Sequence, residues 1–234
     1  MIDLSRRRDL PEVMDDPDLP PAVYVRCLTD LAAVNRWTLT HRATLAWLAR
    51  ATRGWAPGRP LTVLDVACGD GDLLRAIHRW ATRAGLRPVL AGIDLNPGSA
   101  RAAAAATPAD MVIEWRTGDV FDHAPIPPPD FIVTSQFTHH LTDAQVVSFL
   151  QWLERHAGRG WFVADIQRHI IPYYGFRVLA WVMRWHRIVR LDGTASVARS
   201  FRRADWVALL ARAGIADATI RWALPFRHGI GRLR

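Results

Sequence analysis

The run Leu61-Thr62-Val63-Leu64-Asp65-Val66-Ala67-Cys68-Gly69-Asp70-Gly71-Asp72 limits what this chain can fold into more than any other stretch. Thr62 to Ala67 is short, apolar and β-branched, as a strand buried on both faces must be. Gly69 and Gly71 then allow a tight turn and a close approach of backbone to ligand, with no Cβ in the way. Asp72 is a suitable N-cap for the helical spacing of Leu73, Leu74 and Ile77. A dinucleotide fingerprint would place a third glycine three residues after the second, where this chain has Leu74. The turn also carries Asp65, Asp70 and Asp72 with no basic residue before Arg75. Such a turn repels a pyrophosphate and suits a cationic ligand.

The strand–helix alternation continues. Strands are predicted at 61–67, 88–94, 111–116, 130–135 and 160–166, and helices at 72–84, 98–106 and 142–157. An inserted helical segment follows at 172–190, then a helix at 204–213 and two closing strands near 215–222 and 224–230. This order specifies an α/β protein with a doubly wound, mostly parallel sheet of seven strands. Its ligand site falls at the carboxyl ends of the strands. Asp94 ends the second strand, 23 residues beyond Gly71, where an acid accepts hydrogen bonds from ribose hydroxyls. Asp119, in Thr117-Gly118-Asp119-Val120, ends the third.

Asp65, Ala67, Gly69 and Gly71 resemble motif I of the class I S-adenosylmethionine (SAM) methyltransferases, acid-x-Gly/Ala-x-Gly-x-Gly. The likeness runs from about Leu61 to Asp165. It implies a Rossmann-like sheet closed by an antiparallel strand pair, and SAM as cofactor. Residues 1–56 would be an N-terminal extension and helical cap. Residues 57–234 would be the SAM-binding domain, with a lid insertion at about 168–202. The cofactor contacts implied are Asp65, Ala67, Gly69 and Gly71 at the turn, and Asp94 with Leu95 at the ribose. Asp119 would face the adenine amino group while Val120 packs on the ring. Ser135 and Gln136 would sit beside the methyl donor, and Arg42 would reach the SAM carboxylate.

On the acceptor side, the fourth strand runs into Gln136-Phe137-Thr138-His139-His140-Leu141, which resembles the FxHHL segment of methyltransferases acting on quinone precursors and polyketides. His139 and His140 are the acid–base candidates, His139 ahead, because a near-neutral pKa lets imidazole take a proton from a phenol or enol. Two rings on adjacent turn residues are expected to point apart, and either one could instead cap the following helix. No third donor near them in sequence completes a metal site, so none is expected. Asp165, ending the fifth strand, would orient a histidine or bind a substrate hydroxyl; capping or pairing with Arg168 is the open alternative.

In 172–190, Arg177, Arg184 and Arg187 share one helical face and Phe176, Leu179, Val182 and Met183 another. Lid over the acceptor, peripheral membrane contact and plain packing all remain open. The small polar stretch Asp192 to Phe201 is expected as a loop that could close over the site, with Arg199 a candidate for an anionic acceptor group.

Composition narrows the classes. All 30 basic residues are Arg and give a net charge of +8, yet they are spread along the chain and form no dense tract beyond Arg6-Arg7-Arg8. Nucleic acid is therefore disfavoured as a partner, although RNA methylation stays open on charge, as does a non-catalytic role for the fold. Cys27 and Cys68 make no disulfide framework. Half of the residues are hydrophobic, so disorder is confined to about the first 15. No apolar leader follows the first residues, and a cytoplasmic enzyme, monomer or homodimer, is expected. Its reaction would be SAM-dependent O-methylation of a small aromatic or polyketide-like acceptor, or C-methylation of a quinone-type or lipidic ring.

Overall fold

The computed structural model describes residues 2–16 and 18–234; Met1 and Pro17, both in the polar lead-in, lie outside the described residues. Two helices, α1 (Pro21–Trp37) and α2 (Arg42–Ala51), precede the sheet. There follow β1 (Pro60–Val66), α3 (Asp72–Arg83), β2 (Arg87–Asp94), α4 (Pro97–Ala106), β3 (Ile113–Thr117), β4 (Phe131–Ser135), α5 (Asp143–His156) and β5 (Gly160–Ile166). The chain closes with α6 (Ile170–Val182), α7 (Arg187–Arg199), α8 (Arg203–Arg212), β6 (Thr219–Ala223) and β7 (Arg227–Leu233).

The seven strands form one sheet in the order β3-β2-β1-β4-β5-β7-β6. All neighbours run parallel except β7, which is antiparallel to both β5 and β6. Strand order reverses between β1 and β4, and a ligand crevice opens there at the carboxyl ends. Each face of the sheet carries its own core. One is built on Ile132, Phe149, Trp161 and Trp206, the other on Trp47, Leu74, Phe131 and Phe162. Each large ring in them removes on the order of 150–250 Å² from water, about 4–6 kcal/mol at ~25 cal/mol per Å². α5 starts cleanly because Thr142 and Gln145 form a reciprocal capping box, so neither histidine is needed as its cap.

Five expectations change. The inserted segment is two helices, not one: the chain breaks at Arg184 (φ 54°), which turns Trp185 into a small core with Phe176 and Val189. The stretch 192–201 is mostly the end of α7 rather than a loop. Gly193 sits in that helix because Phe176 lies against it; a Cβ there would meet the ring at 2.1 Å. Val182, expected on the packed face, is exposed. Finally, the lead-in is ordered and packed. Leu4 is buried, Arg8 N–H donates to the Ala198 carbonyl, and the buried Arg168 donates to the carbonyls of Leu4 and Ser200 and to Asp205. The closing strands also begin later than predicted. A turn through Asp217 precedes β6, and Pro225, which has no N–H to give a ladder, falls in the turn before β7. Among the described residues no helix is long and apolar enough to cross a membrane.

Candidate active site

A cleft of about 1440 Å³ opens at the carboxyl ends of β1, β2, β4 and β5 and is roofed by α1, α6 and α7. That exceeds the roughly 300–1,000 Å³ of a site for one small ligand, so it has room for two.

Its donor half is built around the glycine turn. Ala67, Gly69 and Gly71 all take left-handed backbone conformations (φ 56°, 53° and 75°), which fold the chain back from β1 into α3. Asp94 ties this turn to the end of β2: its two carboxylate oxygens accept from Gly69 N–H (2.8 Å) and Asn96 N–H (2.9 Å). Asp119 accepts from Phe121 N–H at 2.9 Å and holds Val120 and Phe121 at the end of β3. Ala67, Asp94, Leu95, Asp119, Val120 and Gln136 wall the cleft. Gly69 lies behind the Leu28 side chain of α1. Gly71 serves packing rather than ligand approach, because the Trp115 ring covers it and a Cβ would stand 2.1 Å from that ring. Ser135 is set back, its hydroxyl buried without a partner among the described residues.

The charges of the turn fit a cation. Asp70 is paired with Arg75 (3.0 Å), and Asp72 accepts from Asn35 (2.9 Å) and faces His41 Nε2 (3.1 Å). Asp65 is 2 % exposed and one of its oxygens has no partner among the described residues. Burial, then the neighbouring Asp72 and Asp94, push its carboxyl well above the ordinary range. Burial also raises Asp94. Asp65 lies behind the cleft wall and Asp94 on it, so an ammonium or sulfonium in the cleft would relieve Asp94 directly, and the residues present suit SAM.

Arg42 is exposed on α2 and is not a wall of the cleft. Two other arginines do line it, Arg101 of α4 and the buried Arg227 of β7, and sequence reasoning missed both; Arg227 is the one fixed from within the fold. It is 5 % exposed, donates to Thr38 (2.9 Å) and Thr40 (2.5 Å), and has an unpartnered Nε. Burial lowers its pKa to about 10. Nothing in the residues Pro225 to Gly229 sets this arginine apart from the other 29; only the topology does.

The acceptor half lies beyond β4. Gln136 (φ 57°) reverses the chain and donates to Asn35 of α1, and Thr138–His140 form one 3-10 turn. Asp165, fully buried at the end of β5, gathers this turn: the Thr138 hydroxyl and the His139 N–H (3.0 Å) donate to one oxygen, His139 Nδ1 (2.7 Å) and Ile166 N–H (2.7 Å) to the other. Burial alone would raise the Asp165 carboxyl; the His139 charge and these hydrogen bonds outweigh it and bring it to about 2. An ionised Asp165 accepts from Nδ1–H and leaves Nε2 as the nitrogen free for chemistry. Arg168 is turned away to Asp205. Arg199 does not wall the cleft; it donates to the carbonyls of His139 (3.1 Å) and His140 (3.0 Å), and Arg7 grips the same turn at Leu141 (2.9 Å).

Two sequence expectations fail here. The rings of His139 and His140 stand 4.4 Å apart and only 34° from parallel, on the same side of the turn. A third donor does join them: Glu12, from the lead-in, lies 3.9 Å from both His139 Nε2 and His140 Nε2. Asp15 accepts from His140 Nδ1 at 3.1 Å. No sequence signal marks Glu12 or Asp15, which are lone acids far from the histidines along the chain.

Residues 63–160 match the family model of a methyltransferase domain. No curated protein matches the chain. Among solved structures, the plantazolicin methyltransferase BpumL in complex with S-adenosylhomocysteine is similar over 94% of this chain and 91% of its own, with TM-score 0.64 and 12% identity. Human N-acetylserotonin methyltransferase in complex with SAM has TM-score 0.63 and 15% identity; the match covers 92% of this chain and 56% of the human one, so this chain spans little more than half of that protein. Magnesium protoporphyrin IX methyltransferase (ChlM) from Synechocystis with bound SAM has TM-score 0.53 and 16% identity over 94% and 99% of the two chains. The family match over residues 63–160 and the sheet order give this chain a methyltransferase domain on the fold of these SAM- and S-adenosylhomocysteine-bound enzymes.

Proposed function

We propose that this enzyme moves the methyl group of SAM to a hydroxyl oxygen of a small aromatic or polyketide-like acceptor, with His139 taking the hydroxyl proton. The observation that carries this reading is the buried His139–Asp165 pair at 2.7 Å on the acceptor wall of the cleft. SAM, when bound, supplies an electrophilic methyl carbon. The chain's part is to position and to move one proton. Asp94 and Asp119, both on the cleft wall, would accept from the ribose hydroxyls and the adenine amino group. Asp165 fixes the imidazole with Nε2 toward the acceptor and stabilises the imidazolium once the proton has arrived. Phe176, Leu179 and Pro172 of α6 supply an apolar wall that suits a planar acceptor and excludes water.

The acceptor end carries Glu12, Asp15 and Asp192, which disfavours a polyanion such as RNA despite the net charge. Neighbours named for N-acetylserotonin, plantazolicin and magnesium protoporphyrin IX support a small acceptor. The outer face of α6, with Val178 and Trp181 exposed, supports contact with a membrane surface if the acceptor is lipidic. Both cysteines are free, which supports a reducing, cytoplasmic setting.

The test is calorimetric titration with SAM, followed by labelled-methyl transfer to a panel of phenols, enols and quinols, wild type beside His139→Ala. SAM binding with transfer that His139→Ala abolishes is expected. A methyl group found on ring carbon would favour the quinone-type reading. Absence of SAM binding by the wild type would remove the enzyme reading.

A further inference from the structure

Glu12, His139 and His140 form an arrangement that proton transfer by His139 alone does not require. Each offers one donor atom, and the three atoms lie within 4.8 Å of one another. The 3-10 turn does not by itself align two adjacent rings. They are aligned because Arg7 and Arg199 hold the turn by its carbonyls and because each ring has its Nδ1 on a carboxylate: His139 on Asp165 at 2.7 Å, His140 on Asp15 at 3.1 Å. A carboxylate on one imidazole nitrogen, fixing the tautomer and presenting the other, is the usual surrounding of a metal-bound histidine. Here it occurs twice, and both Nε2 atoms face the same acid.

That acid is 7 % exposed, and its Oε1 has no hydrogen-bond partner among the described residues. The nearest guanidinium, Arg199, stops 3.9 Å from that oxygen and is held on the carbonyls of Leu10, His139 and His140. Arg7 is paired with Asp143. Glu12, Asp15, Asp165 and Asp192 therefore leave an excess of negative charge around two imidazoles.

We propose that Glu12, His139 and His140 are the three protein ligands of a divalent first-row transition cation of the Zn²⁺ or Co²⁺ type, with an open position toward the acceptor end of the cleft. Two imidazoles and one carboxylate suit such ions, whereas Mg²⁺ and Ca²⁺ prefer all-oxygen sets. Ligand atoms about 2.0–2.2 Å from a tetrahedral ion sit roughly 3.3 Å apart, so the present gaps, none above 4.8 Å, close by side-chain shifts of an ångström or so. The consequence for catalysis rests on the methyl-transfer reading. An acceptor hydroxyl at the open position would release its proton to water under the ion's charge, keeping its electron pair for the methyl carbon, and His139 would be a ligand rather than the base. Ion binding itself does not depend on that reading.

The experiment uses untagged, chelator-stripped protein, titrated with Co²⁺ by visible absorption and with Zn²⁺ by calorimetry, with SAM binding measured beside each. One ion per chain and a low-coordinate Co²⁺ band are expected. Glu12→Gln and His140→Asn should each weaken uptake at least about 100-fold while SAM binding persists, which also reports that they fold. Asp165→Asn, acting through His139, should weaken it about 10–100-fold. Should Glu12→Gln fail to fold, the partly exposed His140 decides. Absence of saturable uptake, or uptake that His140→Asn leaves unchanged, overturns the site. SAM-dependent turnover persisting in stripped protein overturns the ion's part in the reaction and leaves His139 as base. Ion uptake without SAM binding would instead overturn the methyl-transfer reading and leave the ion site standing.

Discussion

The two halves of the cleft are built in opposite ways. The donor half is made of short loops that each follow a strand of the same sheet: Ala67 to Gly71, Asp94 to Asn96, Asp119 to Phe121. Its key hydrogen bonds are donated by backbone N–H groups to Asp94 and Asp119, two within a single loop and one, from Gly69 to Asp94, between neighbouring loops. The acceptor half is made of side chains from remote segments, Glu12, His139, Asp165 and Asp192, held by arginines that grip carbonyls. A site of the first kind is fixed by the sheet. A site of the second kind depends on elements outside the sheet staying docked.

This contrast can be broken most sharply by Asp165→Asn. It should lower the turnover rate by about 10²–10⁴-fold while leaving SAM affinity unchanged, as single-turnover rates and calorimetry would report. A fall in both would mean that the halves are one unit. Asp94→Ala should do the reverse. Losing its hydrogen bonds to the turn, together with the ribose contact proposed for it, should weaken SAM binding by about 100-fold, with the acceptor-side turn intact by hydrogen exchange. Smaller effects follow from two glycines. Gly71→Ala combines left-handed backbone with a ring contact and should destabilise by about 2–4 kcal/mol, with loss of SAM binding, by chemical denaturation and calorimetry. Gly193→Ala meets only the Phe176 ring and gains helix propensity. It should cost about 1 kcal/mol, raise the acceptor KM and spare SAM, and Phe176→Leu should restore the loss.

The smallest effect is in pH. Burial, with Asp94 adding to it, raises the Tyr24 phenol of α1 to about 12, from an ordinary value of 10.0. In that interval the unfolded chain has released the proton and the folded chain has kept it. Stability from this group is therefore complete below pH 10 and falls as pH rises toward 12, a slope that Tyr24→Phe should remove from denaturation curves.

The same contrast explains how much could be read beforehand. The sheet and donor loops are local patterns, with alternating elements, glycines at fixed offsets and acids at strand ends, and each is written within a few residues. His139 and His140, in the turn that follows β4, and Asp165, near the end of β5, were also legible as candidates. Glu12, Asp15 and Arg227 were not, because their meaning lies in which distant segment they meet. The stretch 192–201 reads as a loop because Asp192, Gly193, Thr194 and Ser196 are poor helix formers. Tertiary contacts override that preference: Asp192 accepts from the N–H groups of Val13 and Met14, and Phe176 fills the space over Gly193.

That Glu12 is clamped against α7 also has a consequence for synthesis. A ribosome delivers residue 12 long before Asp192 and Arg199. The donor loops, complete once Ser135 has emerged, have their partners close at hand and are able to settle early. The first segment must wait, uncommitted, through nearly two hundred further residues before its docking surface exists. Acceptor-side competence is thus gained last in the life of each molecule. Gradual release of nascent chains should show SAM binding before any catalytic turnover.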